Sequence, residues 1–276
     1  RGLGDVYKRQ VAQMLDKSSY SISLGNTHQD GIISSTGMDR YNVKVSADTK
    51  LTNNWSSGFT ANYITTSIDK AVTSGNGLLR TVYAAPPSYD LAGIPSHVDG
   101  NPYTQNSFRG SFDNAYWAMD NNKFTEDTNR FFGNVYASYQ TDFGTTNHKL
   151  NAKYMVGVDA YTTHYVESYG YGSNTGGGRG QIENYGWTNA TYNSLLTINY
   201  DWRINEDWGL NAVLGNEIIQ SNRKKYYEYG TNYNFPGWNH INNATTQQTE
   251  EETWKNRTVG FFGNVSASYN NMLYLT

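Results

Sequence analysis

Apolar and polar residues alternate along much of the chain with a period of two, the spacing of a β-strand that has one apolar face. In residues 41–51, one face carries Tyr41, Val43, Val45, Ala47, Thr49 and Leu51, and the other carries Asn42, Lys44, Ser46, Asp48 and Lys50. The same alternation recurs in 55–65, 150–160 and 196–203. Strands of this length suit an oblique crossing of a lipid bilayer, which takes about 9–11 residues.

The alternation predicts about nine long strands whose connections are short and long in turn. The predicted strands are 17–25, 39–51, 55–67, 128–142, 147–166, 184–203, 208–223 and 256–269, with a ninth beginning at 272. Three connections are much longer than the rest, at 68–127, 167–183 and 224–255. Short turns at one end and long loops at the other are typical of outer-membrane barrels. We therefore predict an all-β fold, an incomplete antiparallel transmembrane β-barrel segment with long extracellular loops.

The composition changes this picture little. The 276 residues include 24 Tyr and 7 Trp, only 16% are charged, and none is cysteine. The mean hydropathy of −0.71 is low, but a transmembrane strand needs only one apolar face. No run of 18 apolar residues is present, which argues against a spanning helix. A net charge of −3 without a basic patch argues against nucleic acid as a partner.

Both ends of the chain look interrupted. The first residues contain no secretory signal, and Asp5–Gln10 resembles a translated sequencing adapter. We expect residues 1–10 to be foreign or disordered and 11–276 to be part of a barrel. The alternative is a genuine polar N-terminal segment. The last residues, 272–276, have the pattern of a strand interior.

One nine-residue segment occurs twice. The sequence at 131–139 recurs at 261–269 with eight identical positions, and an Asn-Arg pair precedes each copy. A repeated substrate contact is one interpretation. We favour the other, in which two strands meet the same bilayer and the same barrel interior.

Several segments together resemble SusC-type TonB-dependent transporters of the RagA/SusC family. They are Ser21–Gly25 followed by Gln29–Ile33, then Arg40–Val43, Asn129–Asn134, Gly157–Asp159 and the stretch 269–275. The resemblance runs from about residue 17 to 276, and the order of its segments is more specific than any one of them. It implies a barrel of about 22 strands around an N-terminal plug. Neither a plug nor a TonB box is found in this sequence, so we expect the chain to be an internal barrel fragment.

The resemblance also implies a function. It predicts active uptake of a large nutrient, a glycan or oligosaccharide or else a peptide, across the outer membrane of a Gram-negative, Bacteroidota-like cell. The implied partners are a SusD-like surface lipoprotein, outer-membrane lipid and the TonB complex, which would supply the energy through the plug. The alternatives are a passive porin or adhesin barrel and a soluble carbohydrate-binding β-protein.

The sequence gives little support to enzyme chemistry, and we expect no enzyme, no cofactor and no metal. The five histidines are scattered, without the spacing of metal ligands. The glycine-rich segment Gly176–Gly180 lacks the pattern of a phosphate-binding loop, and a hairpin tip is the simpler interpretation. Glu250–Glu252 has the oxygens that calcium prefers, but a solvated run of loop charges explains it more simply.

Aromatic residues in the long loops are the candidate substrate contacts. They are Tyr116, Trp117, Tyr233, Phe235 and Trp238. Exposed aromatic faces stack well on sugar rings because they offer large contact areas at low entropic cost. Packing of the loops against each other or against the lipoprotein is the alternative, which we favour slightly. Trp55, Trp202 and Trp208 stand beside short turns, where a membrane-interface belt explains them best.

Overall fold

Strands make up most of the computed structural model, which describes residues 4–72, 77–270 and 272–276. The elements, in chain order, are β1 (Gly4–Met14), β2 (Ser18–Asp30), β3 (Gly37–Lys50), β4 (Trp55–Lys70), α1 (Leu78–Ala84), β5 (His97–Val98), β6 (Asn101–Gln105), α2 (Ala115–Asn121), β7 (Lys123–Thr141), β8 (His148–Tyr169), β9 (Gln181–Arg203), β10 (Trp208–Tyr233), β11 (Ala244–Tyr269) and β12 (Leu273–Leu275). All but β5 and β6 form one ten-stranded antiparallel sheet within the described residues. The predicted all-β antiparallel class is confirmed.

The sheet is a simple meander. Each strand pairs with the next sheet strand along the chain, and the small β5–β6 hairpin lies inside the connection between β4 and β7. Short turns and longer loops alternate, as the sequence predicted. In the described part of the chain, no helix has the length and apolar character needed to span a membrane.

The strands run further towards the long-loop end than the alternation predicted. The loops placed at 68–127, 167–183 and 224–255 shorten to 71–122, 170–180 and 234–243, and residues 73–76 of the first lie outside the described residues. The predicted limits were wrong because polar residues there pair across strands. Lys224 of β10, for example, forms an ion pair with Glu251 of β11. Once both faces are polar, the period-two signal disappears although the backbone ladder continues.

The registers bring the apolar positions of neighbouring strands onto one face of the sheet. Ile22 lies opposite Val45, and Val45 lies opposite Ala61. Further along, Phe59 lies opposite Val135, and Val135 lies opposite Val156. Because side chains alternate strictly along a strand, one such register fixes the faces of the whole sheet. We call these two surfaces the apolar face and the polar face.

The repeated segment occupies the same structural position in both of its copies. Trp55 lies opposite Tyr139, and Trp208 lies opposite Tyr269. The ring centroids are 5.0 Å apart in the first pair and 4.9 Å apart in the second. Each pair lies on the apolar face beside a short turn, where an interface belt is expected. The registers thus support the structural interpretation of the repeat.

The first strand includes part of the segment that the sequence set apart. Gly4–Met14 pairs with β2 along its whole length, from Gly4 opposite Gln29 to Met14 opposite Ser19. The expectation of disorder is therefore wrong for residues 4–10, because the edge of β2 offers a free ladder of backbone donors and acceptors. Residues 1–3 lie outside the described residues. The foreign origin of residues 1–10 stays a prediction.

Candidate functional site

The polar face of the sheet holds a depression of about 570 Å³, at the level of the strands where the opposite face is apolar. Side chains from β3, β4, β7, β8 and β9 line it, among them Lys44, Thr60, Asn62, Asn134, Asp159 and Asn193. Gly157 makes room in this wall, because a Cβ there would stand 2.2 Å from the side-chain oxygen of Asn193. The depression therefore presents amide, hydroxyl and charged groups to whatever occupies the interior.

One ion pair joins the lining residue Asp159 to Arg130, which stands beside the depression. Arg130 donates from Nη2 to Asp159 Oδ2 at 2.6 Å and from Nε to Asp159 Oδ1 at 2.9 Å. The guanidinium also lies 4.9 Å from the ring centroid of Phe132. Both charged side chains are more than a third exposed, so their pairing adds only about 0–1 kcal/mol to stability. Because the pair is exposed, Arg130 or Asp159 can exchange the other for a polar ligand at a small cost in free energy.

Nearer the long loops than this depression, the polar face carries a ladder of tyrosines. Tyr165 of β8, Tyr185 of β9 and Tyr227 of β10 stand opposite one another in register. The first two rings are stacked, with centroids 4.8 Å apart. Tyr185 donates to Glu167 at 2.8 Å, and Tyr227 donates to Glu183 at 3.1 Å. The ladder stiffens the wall, because each ring is held by its neighbour and by a carboxylate.

Two tryptophans flank a guanidinium beside this ladder. The Arg223 guanidinium lies 5.3 Å from the ring centroid of Trp187 and 5.7 Å from that of Trp254. Trp254 remains 45% exposed. Sequence reasoning did not identify this wall, because it placed Tyr227 and Trp254 in a loop and treated the other members only as parts of strands. The available signal was alternation of aromatic residues at 161, 165, 185 and 187.

Residues 77–122 of the connection between β4 and β7 fold over the loop end of the sheet, and Asp113 fastens them there. This carboxylate is 3% exposed. It accepts hydrogen bonds from Gln105 Nε2 (2.8 Å), Ser173 Oγ (2.5 Å) and both the backbone N and the Nδ2 of Asn174 (2.7 and 2.9 Å). Two of these partners lie in the loop 170–180, so Asp113 fastens one long loop to another. We call the docked segment 97–122 the cap.

The five predicted substrate aromatics divide into two groups. Trp117 and Tyr233 are both 0% exposed, and the ring of Trp117 is held by a 3.2 Å bond from Nε1 to the Pro102 carbonyl. Burial raises the pKa of the Tyr233 phenol. These two rings have no free surface, which favours the packing alternative for them. Tyr116, Phe235 and Trp238 are 44%, 51% and 43% exposed, and substrate contact stays a prediction for these three.

Phe235 and Trp238 belong to a stacked aromatic group at the tip of the loop 234–243. Their ring centroids are 5.8 Å apart, and Trp238 stacks on His240 at 5.0 Å. Asn243 holds the turn, since its Nδ2 donates to the carbonyls of Phe235 and Trp238 at 2.8 Å each. Asn243 is 1% exposed. The platform is therefore preorganised and needs little ordering when something binds to it.

The other candidates from the sequence do not form a chemical site in the described residues. Gly176, Gly177, Gly178 and Gly180 all have positive φ, which suits a hairpin tip. Glu250–Glu252 lies within β11 and not in a loop, as had been predicted, because it pairs with Lys225–Tyr227 of β10. Among the described residues, no group of three or more His, Cys, Asp or Glu side chains has the arrangement of a metal site.

Comparison with known proteins shows the fold. No family model matches the chain, and no curated protein matches it. A structure of the RagAB peptide importer in the closed-closed state aligns with 98% of this chain at a TM-score of 0.74 and 14% identity. A structure described as the RagAB peptide transporter aligns with 98% at 0.74 and 12% identity, and the open-open state with 97% at 0.72 and 13%.

The chain spans about 30% of the length of these solved chains. At such low sequence identity, the alignments show a shared architecture and not a shared activity. Together with the meander and the continuous apolar face, the likeness shows that the chain has the fold of an antiparallel segment of the β-barrel found in these solved chains.

Proposed function

We propose that this chain forms part of the wall of an outer-membrane barrel that takes up a large nutrient and performs no catalysis. The observation that carries the proposal is the division of the sheet into an apolar face and a polar face, and the polar face holds the lined depression. An apolar outer row suits lipid, and a polar inner wall suits a hydrated cargo. The fold shared with peptide importer chains supports the same reading.

The cargo we propose is a glycan or oligosaccharide, with a peptide as the second candidate. Asn62, Asn134 and Asn193 line the depression, and their amides offer both donors and acceptors, as sugar hydroxyls and peptide groups both require. The exposed pair of Phe235 and Trp238 offers ring surface at the loop tip. We further propose a SusD-like surface lipoprotein as the partner at the loop end and the TonB complex as the source of energy. The outer membrane of a Bacteroidota-like cell is the proposed location.

The test is uptake by intact cells that express the full-length protein and its neighbouring lipoprotein. A fluorescent oligosaccharide and a fluorescent oligopeptide of similar size are supplied separately, with and without an uncoupler of the inner membrane. We expect saturable uptake of one of them that stops when the uncoupler is added. Unsaturable uptake that ignores the uncoupler would establish a passive porin instead. Full solubility without detergent would establish a soluble binding protein.

Arg130→Gln connects the test to the proposed wall. We expect this variant to raise the cargo concentration at which uptake is half-saturated. The amount of folded barrel should stay the same, because the exposed ion pair adds little to stability. Lys149→Gln is the matched control, since it also removes one cation of β7 or β8, but Lys149 is not among the lining residues, whereas Arg130 is bonded to one of them, Asp159. Equal effects of the two variants would contradict a cargo role for the depression.

A further inference from the structure

A guanidinium on the polar face is held between two tryptophan rings. Arg223 of β10 lies 5.3 Å from the ring centroid of Trp187 on β9 and 5.7 Å from that of Trp254 on β11. Trp187 is itself braced by Tyr165, whose ring centroid is 5.6 Å away. Arg223 has a described strand on each side, so the sheet positions around it are all defined. The rings therefore fix where this charge stands on the wall.

Another guanidinium of the polar face also lies among aromatic rings, and a carboxylate is bound to it. Arg130 is 4.9 Å from the ring centroid of Phe132 and 6.0 Å from that of Tyr161. Asp159 accepts its two hydrogen bonds. Asp159 lies opposite Phe132, which is two residues nearer the short turn than Arg130. A carboxylate in that position thus completes a guanidinium of this wall.

Neutral residues take the equivalent position beside Arg223. Two residues nearer the short turn on β10 is Ser221, which lies opposite Thr191 of β9 and Asn256 of β11. In the part of the chain that the structure describes, no Asp or Glu lies within ion-pair distance of the Arg223 guanidinium. The planar fork of donors is therefore open to an external carboxylate.

The other charges nearby on this face do not cancel the charge of Arg223. Lys225 stands opposite Glu252, and these two opposite charges offset one another. The next carboxylate of β11 on the same face, Glu250, lies opposite Tyr227, a further step towards the long loops. On the turn side of Arg223, the wall is neutral. Positive charge therefore remains at Arg223.

Hydroxyl and amide groups connect Arg223 to the depression. Asn189, directly opposite Arg223, donates from Nδ2 to Thr191 Oγ1 at 3.4 Å, and Thr191 donates to Ser221 Oγ at 3.3 Å. Thr191 is also one of the residues that line the depression. The guanidinium thus stands at the margin of the depression, beside groups that can both donate and accept hydrogen bonds, as sugar hydroxyls require.

We propose that Arg223 binds a carboxylate of the cargo while Trp187 and Trp254 pack on the sugar that carries it, which makes the cargo an acidic oligosaccharide containing uronic acid. A guanidinium binds a carboxylate through two parallel hydrogen bonds. The flat rings offer a sugar a large contact area at low entropic cost. The inference rests on the proposed function, since it names the chemical class of the same cargo.

The experiment measures binding to the purified full-length protein in detergent by calorimetry. The probes are oligosaccharides of galacturonate, glucuronate and mannuronate, each compared with its carboxyl-reduced neutral analogue. We expect at least one uronate to bind about tenfold more tightly than its analogue, because hydrogen bonds between charged groups contribute that much or more. Arg223→Gln should abolish this preference and leave the affinity for the neutral analogue unchanged. Arg223→Lys should keep part of the preference, since the charge stays and the fork is lost.

Arg40→Gln is the matched control. It removes a guanidinium from the polar face of β3, where the register partners are Thr27 and Thr66 and not tryptophans, and it should keep the preference. Equal affinity of the wild type for every uronate and its neutral analogue would overturn the proposal, as would an equal loss in Arg40→Gln. Tighter binding of an oligoglutamate of the same charge than of any uronate would assign the site to an acidic peptide instead.

Uptake by intact cells is measured on the same variants, which separates this inference from the proposed function. Passive uptake by a protein that keeps its carboxylate preference in calorimetry would contradict the proposed function alone. Energy-dependent uptake of an oligosaccharide that is unchanged in Arg223→Gln, with no carboxylate preference in calorimetry, would contradict this inference alone.

Discussion

Removing the Asp113 carboxylate should release the cap from the sheet. Asp113→Ala leaves Ser173, Asn174 and Gln105 without the acceptor that now receives four hydrogen bonds from them. Hydrogen bonds to a charged group contribute about 1.5–3 kcal/mol each, and a buried donor left unpaired costs about 1–3 kcal/mol. These terms are not additive, but their combined size is roughly 5 kcal/mol or more. Docking of a surface loop onto a sheet is not expected to withstand such a loss.

The assay is amide hydrogen exchange on the full-length protein, read separately for the cap, for the loop 170–180 and for the sheet strands. We expect protection to fall in the first two regions and to stay unchanged in β8 and β9, because the ladder does not depend on the cap. Asp113→Asn should show a smaller loss, since the amide keeps one acceptor oxygen but presents a donor to Ser173. Asp120→Ala is the matched control, because that side chain is 67% exposed. Unchanged cap protection in Asp113→Ala would refute the reasoning.

Three further predictions test the faces, the orientation and the loop tip. Val45→Arg should reduce the amount of folded, heat-modifiable barrel, since an outward charge costs roughly 2–4 kcal/mol near the membrane midplane. Ser46→Arg on the polar face should be tolerated. Equal losses of folded barrel in the two variants would contradict the assigned faces. A cysteine at the exposed turn residue Asn53 should resist an impermeant thiol reagent on intact cells, and one at the exposed loop residue Asn242 should react. The reverse labelling pattern would show that the assigned orientation in the membrane is wrong. Trp238→Ala should weaken cargo affinity, at about 2 kcal/mol or more for a well-packed contact, with lipoprotein co-purification retained; loss of the lipoprotein at unchanged affinity would assign the platform to the partner.

The alternating sequence was sufficient to predict the sheet where one of its faces is apolar. Each strand start and end beside a short turn agrees with the structure to within about two residues, as at Trp55 and Trp208. The reason is local. A strand with one apolar face has apolar residues at every second position, and the polar turns at Asn53, Asn54 and Asn205 interrupt that pattern. The division into an apolar and a polar face follows from the same pattern.

The loop end was decided by tertiary structure. There both faces of the strands are polar, so the sequence pattern does not distinguish β10 and β11 from loops, and only the pairing of facing strands shows that they continue to Tyr233 and from Ala244. The sequence also did not show which of the loop aromatics are buried. Trp117 and Trp238 are alike in sequence, yet one fills the cap and the other stands at an exposed tip. The burial of Trp117 depends on the two loops that Asp113 joins, and contacts between residues that far apart in the chain leave no periodic trace in the sequence.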